Sequence, residues 1–277
     1  MAGGVGVIDL HTHSTASDGQ YAPAEIAARA AAAGTEVWAL TDHDTVAGQE
    51  VGAAEARRLG MRFVPGIELS VFLDRREIHV LGHFVDPLHA TLRKFEDFLA
   101  EHRRERMGKI IEKLKALGIH LSPEDIVRHS GGKTIGRPHV ARALVAAGVV
   151  ASVKEAFDRY LGEGKPAYEG RYRLTAEDAV SLVRGAGGVA TLAHPGVSKI
   201  EACDLARLRA MGFDGVEAYH PDHVPSQLEK YLRIAAELDL VATAGSDFHG
   251  EAVAPDRALG TTTMPVEDLD RLERRRN

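Results

Sequence analysis

The sequence has one cysteine, Cys203, and aromatic residues make up only 5% of it, with a single tryptophan. One thiol excludes a disulfide framework within the chain. Sparse aromatics argue against a protein that only holds nucleic acid on a stacking platform. Long apolar runs are also missing, since no window approaches the roughly eighteen residues that a membrane span needs. Positive charge is not in excess: the formal net charge is −6, so long nucleic acid would not be held electrostatically and any nucleic-acid substrate should be short. The N-terminal MAGGVGVIDLH has neither the basic start nor the apolar stretch of a secretory signal, and a cytoplasmic location is the expectation. A hydrophobic share of 44% and a charged share of 27% exclude disorder and predict a folded chain. Its 277 residues suit one large domain or two small ones.

Histidine is abundant instead, with 14 residues placed unevenly. The apolar run 5–10 ends in His11-Thr12-His13, and an Ala-rich segment 23–33 follows, with proline near its start and Gly34 at its end. This reads as strand, loop and helix. The pattern returns at 37–40 with Thr41-Asp42-His43-Asp44 and a helix over 47–59. A third run, 62–67, ends at Glu68, and two further strands are expected around 70–73 and 78–84, joined by Asp74-Arg75-Arg76. Over 88–117 the periodicity becomes helical, and further helices are predicted over 138–147 and 152–161. Residues 87–168 therefore read as an all-helical insertion. Strands at 189–193, 215–219 and 240–244 alternate with helices at 175–185, 202–211 and 225–238. Such alternation predicts an α/β fold whose parallel sheet is closed or nearly closed as a barrel.

The polar constellations fall directly after the apolar strands. His11 and His13, His43, Glu68, His194, and Asp247 with His249 each follow such a run. In a parallel sheet these strand ends converge on one face. Singly, each has an ordinary reading as turn, cap or surface charge, and Asp18 in Ser-Asp-Gly is by default a turn residue. Jointly they point to a metal centre, and imidazoles with carboxylates but no thiolates suit Zn, Mn or Fe. His79 and His83 share one strand face, so periodicity does not choose between them. His220 and His223 also follow a strand, as metal-centre supports or substrate contacts.

The ordered motifs Asp9-Leu10-His11-Thr12-His13, Ser17-Asp18-Gly19, Thr41-Asp42-His43-Asp44, Gly66-Ile67-Glu68, Ile78-His79-Val80, Ala193-His194-Pro195 and Gly245-Ser246-Asp247-Phe248-His249 resemble the polymerase and histidinol phosphatase (PHP) family of metal-dependent phosphoesterases. The resemblance implies a distorted seven-stranded (β/α) barrel, 1–86 and 169–277, with three divalent metal ions, foremost Mn with Fe or Zn as options. It implies that His11, His13, Glu68 and Asp247 hold one ion, that Glu68, His79 and His194 hold a second, and that Asp18, His43 and His249 hold a third. It thereby favours His79 over His83.

Within the insertion, Gly136-Arg137-Pro138-His139 resembles the branch that removes the 3′-phosphate from 3′,5′-nucleoside bisphosphates, parts of which also trim short 5′-phosphorylated RNA. A helix N-terminus with a guanidinium suits an anion. Arg137 and His139, with Lys133, are therefore expected to read the phosphate that is not cleaved. The implied mechanism is in-line attack by a metal-bridging hydroxide, with Glu68 setting the metal spacing and Asp18, His43 and His249 placing the ion that grips the phosphoryl or leaving oxygens. His223 is a candidate proton donor. Two alternatives use the same metals: a histidinol-phosphate phosphatase, which has no need of a second anion site, and a proofreading or structural module of a polymerase assembly. The expected partner is a small nucleotide or short 5′-phosphorylated oligonucleotide, with no membrane and no stable long nucleic-acid complex.

Overall fold

The computed structural model describes residues 6–128 and 136–276. Its first elements are β1 (Val7–Asp9), α1 (Pro23–Ala32), β2 (Thr35–Leu40) and α2 (Gln49–Arg58). Pro23 opens α1, where its missing N–H costs nothing, and Ile26, Ala27 and Ala30 form its buried face. The chain turns out of α1 at Gly34, whose φ of 84° suits a residue without Cβ. Ile26 and Ala30 pack with Trp38, Leu40 and Ala56 in one core cluster. The Trp38 indole N–H also donates to Thr12 Oγ1 at 2.9 Å, which ties this helical layer to the loop after β1.

Next come β3 (Arg62–Leu73) and β4 (Arg76–His83), followed by α3 (Ala90–Ala116), α4 (Pro123–Val127), α5 (Arg137–Ala146), α6 (Val153–Ala156) and a π-helical turn, Phe157–Leu161. The alternation resumes with β5 (Leu174–Thr175), α7 (Ala176–Gly185), β6 (Val189–Leu192), α8 (Ala202–Ala210), β7 (Gly215–Tyr219), α9 (Pro225–Glu237), β8 (Val241–Ala244) and α10 (Val266–Glu273). Together these form a mixed α/β fold around an eight-stranded sheet in the order β1-β2-β3-β4-β6-β7-β8, with β5 paired to β3 alone. No described helix is long and apolar enough to cross a membrane.

Two features depart from the sequence reading. The segments expected as separate strands around Glu68 are one strand of 12 residues, β3, and Glu68 lies within it. The sheet is also not wholly parallel, because β4 runs antiparallel to both β3 and β6. A tight turn at Asp74, with φ of 56°, reverses the chain, and a hairpin needs no crossover helix. Residues delivered to the site by β4 therefore come from its first half rather than its end.

The chain divides into two compact units, one of them Lys94–Tyr172 and the other the remainder. The sequence had suggested 87–168 for the helical part. The helical unit has its own core, in which Ile110, Leu114, Ile126, Val140, Leu144 and Leu161 are fully buried.

Candidate metal centre

Strand ends place the candidate ligating groups. His11 and His13 leave β1, His43 leaves β2, Glu68 and His79 stand on the β3–β4 hairpin, His194 follows β6, and Asp247 and His249 follow β8. Backbone bonds hold the first and last of these loops together, with Asp247 N–H donating to His11 O and His13 N–H to Phe248 O, each at 2.9 Å. His194 and Asp247 have positive φ, 23° and 49°. Such strain in non-glycine residues persists where surrounding structure fixes a functional geometry.

Glu68 is the hub, and its two oxygens face different imidazoles. Oε2 lies 3.2 Å from His11 Nε2, 3.0 Å from His13 Nε2 and 3.1 Å from His43 Nδ1. Oε1 lies 2.9 Å from His79 Nδ1 and 3.3 Å from His194 Nε2. One carboxylate can thus serve two ions. Asp247 Oδ1 stands 3.3 Å from both His11 Nε2 and His13 Nε2. Asp18 Oδ1 lies 3.3 Å from His249 Nε2, and Oδ2 lies 3.8 Å from His43 Nε2.

Three groups have ligand atoms within 4.8 Å of one another: His11, His13, Glu68 and Asp247; His43, Glu68 and His79; and His13, Asp18, His43 and His249. The first has the membership expected for one ion. In the second His43 stands where His194 was expected, and His194 lies beside the group, facing Glu68 and the ring of His79. The third adds His13 to its expected members.

A metal fits this cluster on chemical grounds. Glu68 Oε2, Asp247 Oδ1, and the Nδ1 atoms of His13, His43, His79 and His194 are buried without a hydrogen-bond partner among the described residues, although Coulomb partners stand about them. Buried polar atoms are normally satisfied, and cations held among these groups would satisfy the atoms that face Glu68 and Asp247. Burial pushes the His43 imidazole down to about 3, leaving it neutral. Burial alone would raise Glu68 and Asp247, but the surrounding imidazoles outweigh it and hold both well below the carboxylate range. Asp18 behaves likewise beside His249, His43 and His13. The carboxylates are therefore ionised and His43 is neutral, while the same carboxylates hold His11, His13 and His79 above the ordinary imidazole range, with protons that a bound cation would displace. His11, His13 and Glu68 have no exposed side-chain surface, whereas Asp18 is 57% exposed, so the cluster opens to solvent at Asp18.

Residues outside the expected set support it. Glu217 on β7 is fully buried and accepts from His11 Nδ1 at 2.9 Å and from the His194 N–H at 2.8 Å. Asp42 accepts from Ser14 N–H and Oγ at 2.8 Å and from Ser17 Oγ at 2.6 Å, fixing the loop that carries Asp18. Arg257 pairs with Asp247, and its other terminal nitrogen is 2.6 Å from Asp222. Arg257 and Asp222 line a cleft of about 410 Å³ together with Asp18 and His249. Glu217 was legible only as an acid within an apolar strand, and Arg257 carried no sequence signal.

His83 lies deep on the same face as His79 and donates from Nε2 to Leu10 O at 2.9 Å, which separates the two histidines that periodicity left equivalent. The expectation for His223 is corrected. Its Nε2 accepts from Gly196 N–H at 3.0 Å and its Nδ1 donates to Ala218 O at 2.8 Å, so both ring nitrogens are committed to backbone and none is left to deliver a proton. Its role here is to hold the loop after His194.

In the helical unit, the Arg137 guanidinium lies 5.2 Å from the Tyr168 ring centre and 5.9 Å from that of Phe157, and it donates to Leu161 O at 3.3 Å. His139 accepts the Gly136 N–H at 2.9 Å and so caps its own helix. Lys133 lies outside the described residues. Sequence reasoning missed Arg106, whose Nε is buried without a partner among the described residues. Burial, with the charges of Arg137 and Arg103, holds its guanidinium below its ordinary range. Three like charges gathered this way attract an anion.

Comparison with known proteins agrees with the centre's chemistry. The PHP domain model matches residues 9–163. The 3′,5′-nucleoside bisphosphate phosphatase of Chromobacterium violaceum is 37% identical over 247 residues, covering 87% of each chain. The 5′-3′ exoribonuclease Rnm of Escherichia coli is 34% identical over 249 residues, covering 88% of this chain and 85% of its own. A solved amidohydrolase structure from Chromobacterium violaceum, with bound sulfate and no metal, superposes with a TM-score of 0.74 at 35% identity over 95% of this chain and 96% of that one. The order of the ligand motifs, their convergence on Glu68 and these similarities lead to one conclusion: the chain belongs to the PHP family.

Proposed function

We propose that the protein is a metal-dependent phosphoesterase that hydrolyses the 3′-phosphate of 3′,5′-nucleoside bisphosphates, giving the nucleoside 5′-monophosphate and phosphate, and that it also trims short 5′-phosphorylated oligonucleotides. The observation that carries this reading is the Glu68 carboxylate, divided between two sets of imidazoles and flanked by Asp18 and Asp247. The similarity to the bisphosphate phosphatase and to the exoribonucleases supports the substrate class.

His11, His13, Glu68 and Asp247 would hold one divalent ion, Glu68, His79 and His194 a second, and Asp18, His43 and His249 a third, with Mn the first choice and Fe or Zn accepted by the same donors. When bound, such ions neutralise phosphoryl oxygens and make hydroxide available near neutral pH. The chain's own groups do the rest. Glu68 fixes the separation of two binding positions, Glu217 orients His11, and the exposed Asp18 admits substrate at the open side. Arg137, with Lys133 and His139, is assigned to the phosphate that is not cleaved, and Arg106 is added to that group. The helical unit is thus the recognition module of the enzyme. Backbone bonds from Leu10 N–H to Ala244 O and from His13 N–H to Phe248 O support reading the sheet as a distorted (β/α) barrel. A single cysteine suits a cytoplasmic setting.

The test is phosphate release by Mn-loaded protein from adenosine 3′,5′-bisphosphate, with 5′-AMP, histidinol phosphate and a short 5′-phosphorylated RNA in parallel. Preference for the bisphosphate, yielding 5′-AMP, is the expected result. Preference for histidinol phosphate would keep the metal chemistry and overturn the recognition assignment.

A further inference from the structure

Aromatic residues are scarce in this chain, at 5%, yet two of them stand together at the surface of the helical unit. Phe98 and Tyr172 are each 38% exposed. Their ring centres are 4.8 Å apart with planes nearly perpendicular, and His102 completes a trio at 4.2 Å from Phe98 and 5.5 Å from Tyr172. Rings of this size normally bury their faces in a core or cover them with a ligand.

The trio's surroundings indicate what would cover it. Phe98, His102 and Arg106 are spaced four apart along α3 and lie on one face. Four residues rise about 6 Å, so the aromatic surface sits one helical turn from the guanidinium of Arg106. That guanidinium has a buried Nε with no partner among the described residues, and the charges of Arg137 and Arg103 outweigh that of Glu169 around it. An aromatic face one turn from a cluster of guanidinium groups with a spare N–H matches a ligand with a flat heterocycle at one end and a phosphate at the other.

We propose that Phe98, His102 and Tyr172 form a stacking platform for the base of a nucleotide whose phosphate is taken by the neighbouring arginines. The proposal rests on the nucleotide phosphoesterase reading and deepens it by giving the base its own subsite. A platform of this size holds one base and tolerates any of the four, because every base offers a π face. It does not create the long track that the composition already excluded.

The test uses the metal-free full chain and calorimetric titration with 5′-AMP and with ribose 5-phosphate, which carries the phosphate without the base. The wild type is expected to bind 5′-AMP about tenfold more tightly than the sugar phosphate. Tyr172→Ala combined with Phe98→Ala should abolish that preference while leaving ribose 5-phosphate binding in place, and Tyr172→Trp should retain it. Equal affinity of the wild type for the two ligands would overturn the platform. So would a preference that survives in the double variant while its melting temperature falls, which is the behaviour of a clasp that only fastens residue 172 to α3. Because binding is read without turnover, failure here is separate from failure of the phosphatase assay. A chain that prefers 5′-AMP but releases no phosphate keeps the platform and loses the reaction.

Discussion

His11 and Glu217 are joined by a 2.9 Å hydrogen bond between Nδ1 and Oε1, and neither side chain is exposed. The bond keeps a proton on Nδ1 and turns Nε2 toward Glu68 and Asp247, so that a bound metal would displace the Nε2 proton and take its lone pair. The second oxygen of Glu217 accepts the His194 N–H at 2.8 Å, so one carboxylate orients the His11 ring after β1 and the loop bearing His194 after β6. Glu217→Gln keeps the volume but cannot accept at both positions. We expect a loss of metal affinity of about 10- to 100-fold, measured by competition with a graded chelator and by metal analysis. Activity should largely return at saturating metal. Unchanged affinity would show that the bond is structural only.

Gly245 makes this contact possible. A Cβ there would stand 2.2 Å from His11 Cβ and 2.3 Å from Glu217 Oε1, with both neighbours held by the sheet. Gly245→Ala should therefore lower both the melting temperature and the bound metal, with a cost of about 1–3 kcal/mol from overpacking. Thermal melts in the presence and absence of Mn check this. A variant that melts normally but has lost metal would place the effect on the ligands alone, and one that keeps both would show that the backbone yields.

Much of this centre was legible because it is a pattern of strand ends. An apolar run followed by His, Asp or Glu is visible in one dimension, and His11, His13, His43, His194, Asp247 and His249 all have that form. What stayed hidden depends on direction and distance. Periodicity puts His79 and His83 on one face, and only the antiparallel run of β4 decides that His79 reaches Glu68 while His83 points to the Leu10 carbonyl. Glu68 was read as a strand terminus because a charge inside a strand is costly unless it is paired. The structure supplies the pairing and lets the strand continue. His223 has the sequence signature of a reactive group, but backbone partners that no spacing could reveal occupy both of its nitrogens. Arg106 sits in a run of charged helical residues, where a buried guanidinium looks like its solvated neighbours.

His83 links stability to pH. Burial pushes its imidazole from 6.5 to about 4, so the folded state holds it neutral where the unfolded chain would bind a proton. The unfolded state binds more protons between these values, and stability therefore rises with pH across that window. The contribution is full above pH 6.5, is lost as pH falls towards 4, and amounts to about 3 kcal/mol in all. His83→Gln can still donate to Leu10 O but does not titrate. Urea denaturation of metal-free wild type and variant at several pH values should show the wild type losing stability relative to the variant on acidification. Parallel pH profiles would assign the acid sensitivity elsewhere.

Arg137 and Arg106 provide the sharpest test of substrate recognition, because the metals and the recognition charges should separate kinetically. If these guanidinium groups contact only the phosphate that is not cleaved, their loss removes binding that ground state and transition state share. Arg137→Ala should raise KM for adenosine 3′,5′-bisphosphate by about tenfold or more, the scale of a lost charge-assisted hydrogen bond, with kcat little changed. A simple phosphomonoester lacking the second phosphate should be nearly unaffected. Arg106→Ala should act in the same direction. Because Arg137 also packs near Phe157 and Tyr168, Arg137→Lys is the needed companion: it keeps the charge but loses the planar fork, and a partial rise in KM for the bisphosphate alone would identify anion recognition. An equal loss on both substrates would instead mean that the helical unit had been loosened, and would remove these arginines from the recognition of the second phosphate.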